Sequence, residues 1–386
     1  MLILKNIQAI LDNRILSNAA IAIENGIIID IVENQKISDG IDCHNSYCIP
    51  GLIDTHSDAI ENDIFPRAGV AMDIDFALRA VEAKFTSAGI TTVCHGITFE
   101  DSTIRNRTIQ LAETLVDKIV NRRSNISLPL EHRILFRLDV RSSDGLKSII
   151  SRLHLGKNIN EPTLISLENH APGNGPFVNL AKFRNHVHTM TGLTGSNLDK
   201  MVEKEIQKSI SLLPQIEICK QKLIDLDNKD NLILLAHDCE DEATVESAYY
   251  MHVKAAEFPL TLEAARKAAS LGMHVIAGAP NIIRGKSHSG FVSATDLIKL
   301  GLCTSLTSDY LPFSLIAAPF LIAIKKILPI HDAIKLVTKN PAKIIGLTDR
   351  GEIACGLRAD LTLVTLDGNW PRVVRTICAN DKFACL

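Results

Sequence analysis

The stretch IPGLIDTHSDAIENDIFPR, Ile49 to Arg67, sets Asp54, His56 and Asp58 at alternate positions. In a strand, residues two apart point to the same face. If Leu52 and Ile53 belong to a strand, His56 and Asp58 project together from its end. A neutral imidazole beside a carboxylate is a donor pair for a borderline divalent cation. A polar turn satisfying its own backbone is the rival reading of an isolated His-x-Asp, so other donors must decide.

Such donors recur, each after an apolar run: His95, Asp139, Glu168 with His170, His237 with Asp238, and Asp309. Several apolar runs ending this way read as one shared metal site, with ligands enough for two ions and a carboxylate to bridge them. A divalent ion lowers the pKa of bound water from about 15.7 to about 7, and a second can polarise the substrate oxygen. Asp309, on the last run, is placed to take a proton from the attacking water and hand it to the leaving group. His154, His186, His188 and His252 lie in helical or loop surroundings and read as surface or packing residues. His274 starts a strand, the wrong end for chemistry, and His132 sits before one and reads as a capping or packing residue.

The elements that must position these groups follow from the apolar pattern. Strand-like runs fall at 51–58, 90–96, 133–140, 163–170, 232–239, 255–260, 273–280 and 303–309, with helix-like segments between most of them. Eight strands alternating with helices imply an α/β fold, a distorted (β/α)8 TIM-type barrel over residues 50–349. No G-x-G-x-x-G opens a helix after the first strand, which argues against a doubly wound dinucleotide fold. Residues 177–228 are long for one connection, and NLDKMVEKEIQKSI suggests a helical insertion over the barrel mouth. Residues 1–49 and 350–386 carry short β-branched runs, with Asn25-Gly26 a hairpin signal, and predict a small β-sandwich built from both termini.

A second polar feature, GAPNIIRGKSHSG at 278–290, holds Arg284, Lys286 and His288. It is not a P-loop, because the glycine that G-x-x-x-x-G-K-[ST] requires falls on Pro280. Its cations, hydroxyls and free N–H groups still suit a phosphate, and Arg67 is a weaker candidate for the same role.

Composition excludes several classes. Of 386 residues 46% are apolar, and the net charge is -3, so no basic excess points to nucleic acid. No tract has the length or pattern for a membrane; Phe313 to Ile324 is too short to span one. The N-terminus lacks signal-peptide order. Nine cysteines without a C-x-x-C pair fit reduced thiols and a cytoplasmic protein.

In order along the chain stand PGLIDTH, GITTV, SLENHAPG, EFPLT, GAPNIIRGKSHSG, TSDYLP, LVTKNPAK and GLRADL. Together these resemble the amidohydrolase superfamily, and within it the branch that cleaves ribose 1-phosphonate 5-triphosphates in phosphonate use. The resemblance implies a hydrolase that releases pyrophosphate with one or two divalent ions, zinc first and manganese or iron as alternatives. It implies His56, Asp58, His170, His237 and Asp309 as ligands, and Asp139 as the bridging carboxylate. A small phosphorylated molecule is the expected partner, with a homo-oligomer left open. Departures cluster at the mouth: Ala59, Asn62, His95, Cys239 and Asn174-Gly175-Pro176 replace the residues that branch carries, including basic residues at the second and last of these places. An amidohydrolase acting on a C–N bond, by cyclic amide hydrolysis or deamination, is therefore the alternative, and a non-catalytic barrel the third.

Overall fold

The computed structural model describes the chain except for residues 34–36, 68, 103, 106, 124–129, 156–160, 228–230, 288, 289 and 380–386. Both termini build one mixed six-stranded sheet. Its strands are β1 (Leu2–Ile10), β2 (Ile15–Glu24), β3 (Ile27–Glu33), β4 (Ile41–Pro50), β13 (Leu361–Asp367) and β14 (Trp370–Ile377), in the order β14-β13-β4-β1-β2-β3. The Asn25-Gly26 turn between β2 and β3 has positive φ at both residues, as a two-residue hairpin needs.

The middle of the chain forms a nearly closed parallel barrel. Its strands are β5 (Leu52–Ser57), β6 (Ile90–Phe99), β7 (Glu131–Asp139), β8 (Thr163–Glu168), β9 (Leu232–His237), β10 (Ala255–Glu257), β11 (His274–Gly278) and β12 (Ser305–Thr307). Each apolar run marked in the sequence holds one of them. Helices lie between the strands, several opened by a side-chain cap, such as Asp73 on the Phe76 amide and Thr261 on the Ala264 amide. The expected insertion contains three helices, Leu180–Thr191, Gly195–Ser211 and Leu213–Asp227.

Side-chain alternation fills the barrel in layers. Ile53, Cys94, Leu135, Leu164, Leu235, Ala255 and Ile276 form a buried apolar cluster with Ile344 and Ile345, from the helix Lys339–Ile344 and its C-cap. Two residues further along five of these strands stand Gly96, Arg137, Ser166, His237 and Glu257. The lower layer is therefore oily and the upper one is charged.

Closure between the first and last strands rests mainly on one carboxylate. β5 and β12 share a single bridge, Ser57 to Asp309. Asp54, fully buried, accepts Thr307 Oγ1 at 2.5 Å, Ser308 Oγ at 2.5 Å and the Ser308 amide at 3.0 Å. Thr307 Oγ1 also accepts the His56 amide at 2.8 Å, so the same clasp sets the height of His56.

Outside the barrel wall, His95 points away from the mouth. Its Nε2 lies 2.9 Å from His132 Nδ1, and His132 Nε2 lies 3.2 Å from Glu82, which Arg122 holds bidentately at 2.7 and 2.8 Å. Burial opposes ionisation of Glu82, yet Arg122 and His132 outweigh it and bring its pKa from 4.5 down to about 2.

Two outcomes follow. Asp54→Ala takes the acceptor from the Ser308 amide, while Thr307 Oγ1 keeps the His56 carbonyl at 2.7 Å and Ser308 Oγ the Ser57 hydroxyl at 3.2 Å, so it should cost about 1–3 kcal/mol in urea unfolding. A loss below about 1 kcal/mol would mean that the closure does not depend on it. Glu82 carries a depressed pKa, so its stabilisation is complete above pH 4.5 and fades as pH falls toward 2. Glu82→Gln should therefore lower Tm at pH 7, and the gap to wild type should close across that acid window.

Candidate metal centre

The charged layer closes into a ring of eight side chains in which cationic or imidazole groups alternate with carboxylates. Arg137 Nη1 lies 2.7 and 2.6 Å from the two oxygens of Asp58. Asp58 Oδ1 is 3.4 Å from His56 Nε2, and His56 Nδ1 donates to Glu257 at 3.1 Å. Glu257 Oε2 is 3.7 Å from His237 Nδ1, and His237 Nε2 is 3.5 Å from Asp238. Asp238 lies 3.1 Å from His170 Nε2, whose Nδ1 is 3.6 Å from Glu168. Glu168 accepts Arg137 Nε and completes the circuit.

Gly96 makes the circuit sterically feasible. A Cβ there would meet Asp58 Oδ1 at 2.7 Å and Arg137 Cδ at 3.0 Å. Asp309 joins from β12 through the backbone, its N–H on the His56 carbonyl and its carbonyl on the Asp58 N–H. Asp238, Phe258 and Asp309, just beyond three strand ends, all have φ near +50°. Such left-handed non-glycine residues cost of order 1–3 kcal/mol each and cluster at functional sites.

Electrostatics follow the geometry. Burial disfavours a charged His56, but Glu257 and Asp58 prevail and raise its pKa to about 10. Glu257 and Glu168 are buried, yet His56 and His237 hold the first, and Arg137 with His170 and His237 the second, far below the usual carboxylate range. Asp309 is pushed up to about 6, by burial first and then by the Asp58 charge.

The donor set fits a divalent cation. His56 Nε2 is buried without a hydrogen-bond partner, and it faces a carboxylate. His56, His237 and Glu257 bring ligand atoms within 4.8 Å of one another, as do His170, His237 and Asp238. Glu257 accepts from His56 Nδ1 at 3.1 Å, which fixes the tautomer that leaves Nε2 to a metal, and it lies 3.7 Å from His237 Nδ1.

Of the residues marked in the sequence, His56, Asp58, His170, His237 and Asp309 come together here. Asp139 stands apart: Arg141 takes both its oxygens, at 2.9 and 2.6 Å, and Glu168 occupies the neighbouring strand end in the ring. Arg67, Arg284 and Lys286 are exposed and line neither cavity described below, while His288 lies outside the described residues. Sequence reasoning passed over Arg137, Glu257 and His186. The first two stand two residues past an inward apolar residue on their strands, which was the available signal.

Two cavities open onto the ring. One, about 620 Å³, reaches Asp58, His237, Asp238 and Asp309 and is walled by Phe177, Phe258, Phe291 and Tyr310. The other, about 940 Å³, reaches His170 and Asp139 and is walled by charged side chains. His186, which the sequence suggested was a surface or packing residue, borders both.

An eight-stranded barrel with a terminal sheet and a His/carboxylate centre at its strand ends defines the amidohydrolase class. N-acetylglucosamine-6-phosphate deacetylase from Pasteurella multocida superposes with a TM-score of 0.63 at 12% identity, over 98% of each chain. 5-methylcytosine deaminase from Klebsiella pneumoniae gives 0.63 at 14% identity, over 98% of this chain and 96% of that one. No family model matches the chain. In sequence it is 31% identical over 369 residues to alpha-D-ribose 1-methylphosphonate 5-triphosphate diphosphatase of Escherichia coli (strain K12), spanning 94% of each. The chain belongs to the family of that diphosphatase, within the amidohydrolase superfamily.

If Glu257 orients the imidazoles, Glu257→Gln should weaken metal retention by about 10–100-fold, the usual effect of losing such a partner. Chelator competition followed by elemental analysis measures it, with far-UV circular dichroism as the fold control. Unchanged retention would make Glu257 a packing residue.

Proposed function

We propose that the chain is a metal-dependent hydrolase that cleaves a phosphoanhydride of a ribose 1-phosphonate 5-triphosphate and releases pyrophosphate. The observation that carries it is the buried His/carboxylate ring in a chain related along nearly its whole length to a diphosphatase. His56, Asp58, His170, His237 and Asp309 would hold one or two divalent ions, zinc first. Asp139 enters only by a turn away from Arg141. A bound cation would supply Lewis acidity, bringing a water molecule's pKa toward 7.

The chain's own residues divide the remaining work. Asp309 accepts a proton from the attacking water, whose oxygen bonds to the α-phosphorus. The bond from that phosphorus to the bridging oxygen breaks, and its electron pair leaves with pyrophosphate. Asp309 then returns the proton to the leaving group or to solvent. Arg137 keeps Asp58 ionised and oriented, since its guanidinium spans both oxygens. Asp309 suits the exchange because burial and Asp58 have already moved its affinity for a proton upward.

A second reading has one observation behind it. The cavity that Asp309 borders is walled by four aromatic rings, and Lys182, the one Lys or Arg among its described wall residues, stacks on one of them, Phe291, at 4.3 Å. Such a pocket also suits a planar amide or a nucleobase cleaved at a C–N bond.

Pyrophosphate release from a triphosphate panel, run beside ammonia release from cyclic amides and amino-pyrimidines, separates the two. Asp309→Asn should retain metal and lower kcat by at least ~100-fold. Turnover unchanged with metal still bound would remove Asp309 from proton transfer, and activity on C–N substrates alone would put the second reading first.

A further inference from the structure

The 940 Å³ cavity differs from its neighbour in charge, and most of its charges are already answered. Arg107 is held by Glu61 at 2.9 and 2.8 Å and by Glu100 at 3.1 Å. Arg141 is held by Asp139, Asp144 meets Lys147 at 2.9 Å, and Asp101 caps the Ile109 amide at 3.0 Å.

Three cations in the wall are not answered. Arg105 is largely buried, and its nearest carboxylate among the described residues, Glu100, is 3.7 Å away and already bonded to Arg107. Its guanidinium instead faces His170 Nδ1 at 3.2 Å and lies over the Phe177 ring. Lys204 and Lys208 stand one helical turn apart on Gly195–Ser211, line the same cavity and make no ion pair among the described residues. Against these three, the wall offers two carboxylates with no cation partner among the described residues, Asp101 and Glu205.

The arrangement of the mouth gives this excess charge a direction. In-line displacement at phosphorus puts the entering water and the departing group on opposite sides. Asp309 borders the aromatic cavity, over the half of the barrel made by β9 to β12 and β5. Arg105 borders the charged cavity, over β6 to β8, and touches the ring at His170. We infer that Arg105, Lys204 and Lys208 form the subsite for the departing pyrophosphate, with the organic half of the substrate in the aromatic cavity. This rests on the phosphoanhydride reading above. Arg105 supplies a planar fork at the inner end, and the two lysines supply point charges where the cavity meets solvent.

Pyrophosphate binding tests the subsite without turnover. Isothermal titration of the purified protein with pyrophosphate, with metal content measured before and after, should show saturable binding. Arg105→Ala and Lys204→Ala/Lys208→Ala should each raise Kd at least tenfold, Arg105→Lys should recover only part of the loss, and Arg284→Ala should change nothing. The lysine pair is exposed on a helix, so its variant stays informative if Arg105→Ala does not fold. No binding by wild type, a Kd unchanged from wild type in both variants, or loss on Arg284→Ala alone would overturn the subsite. Pyrophosphate bound through these residues by a protein that hydrolyses no phosphoanhydride would count against the reaction and leave the subsite standing.

Discussion

Everything at the barrel mouth answers to the cost of burying carboxylates. Asp58, Glu168, Asp238, Glu257 and Asp309 come together inside a protein wall, where an isolated charge of this kind costs several kcal/mol even after relaxation. Arg137 is the one guanidinium inside the ring, and it is divided between Asp58 and Glu168. The three imidazoles answer the rest by alternating with carboxylates, and Glu257 and Asp58 push His56 far toward its charged form. A ring with this excess of anionic donors, a buried imidazole nitrogen without a partner and fixed tautomers is preorganised for a cation.

The layer beneath makes that charge density tolerable. Seven inward apolar side chains, one from each strand β5 to β11, pack on the Lys339–Ile344 helix and close the barrel floor to water. The strained φ angles at Asp238, Phe258 and Asp309 are held from below by short, well-bonded strands, and the Asp54 clasp fixes the seam between β5 and β12. Asp54 and His56 are two apart in sequence, yet one locks the barrel and the other faces the ring. Irregular pairing between β5 and β6 along this stretch lets one short segment serve both ends.

What the sequence disclosed follows from how local each signal is. Alternating apolar runs disclosed all eight barrel strands, because burial on both faces leaves a continuous imprint. His56 with Asp58, and His170, His237 and Asp309, were legible because each ends such a run. Glu257 was not, since it stands in the middle of the run marked at 255–260, whereas β10 itself is three residues long and ends there. Arg137 was hidden by the habit of reading a charged residue inside a strand as facing solvent; its alternation with Leu135 and Asp139 carried the contrary signal. His95 looked like a ligand from its strand and is turned outward by the alternation that gives Gly96 the inward place. Arg105 had no local signature, because its importance comes from a contact 65 residues away, with His170.

Two arginines stand beside two of the departures at the mouth. The family resemblance implied a basic residue at the position of Asn62 and another after His170-Ala171-Pro172-Gly173. Here the loop after β6 delivers an arginine to each neighbourhood. Arg107 forms its bidentate pair with Glu61, next to Asn62, and Arg105 reaches His170 and the ring of Phe177, in the turn that replaces the second basic residue. A guanidinium supplied by a different loop preserves the local charge while changing its angle of approach and leaving an aromatic face beneath it. Groups on rigid strand ends are held to one geometry, whereas loop cations need only arrive. On that physical basis the ring and the pocket can diverge at different rates within one fold.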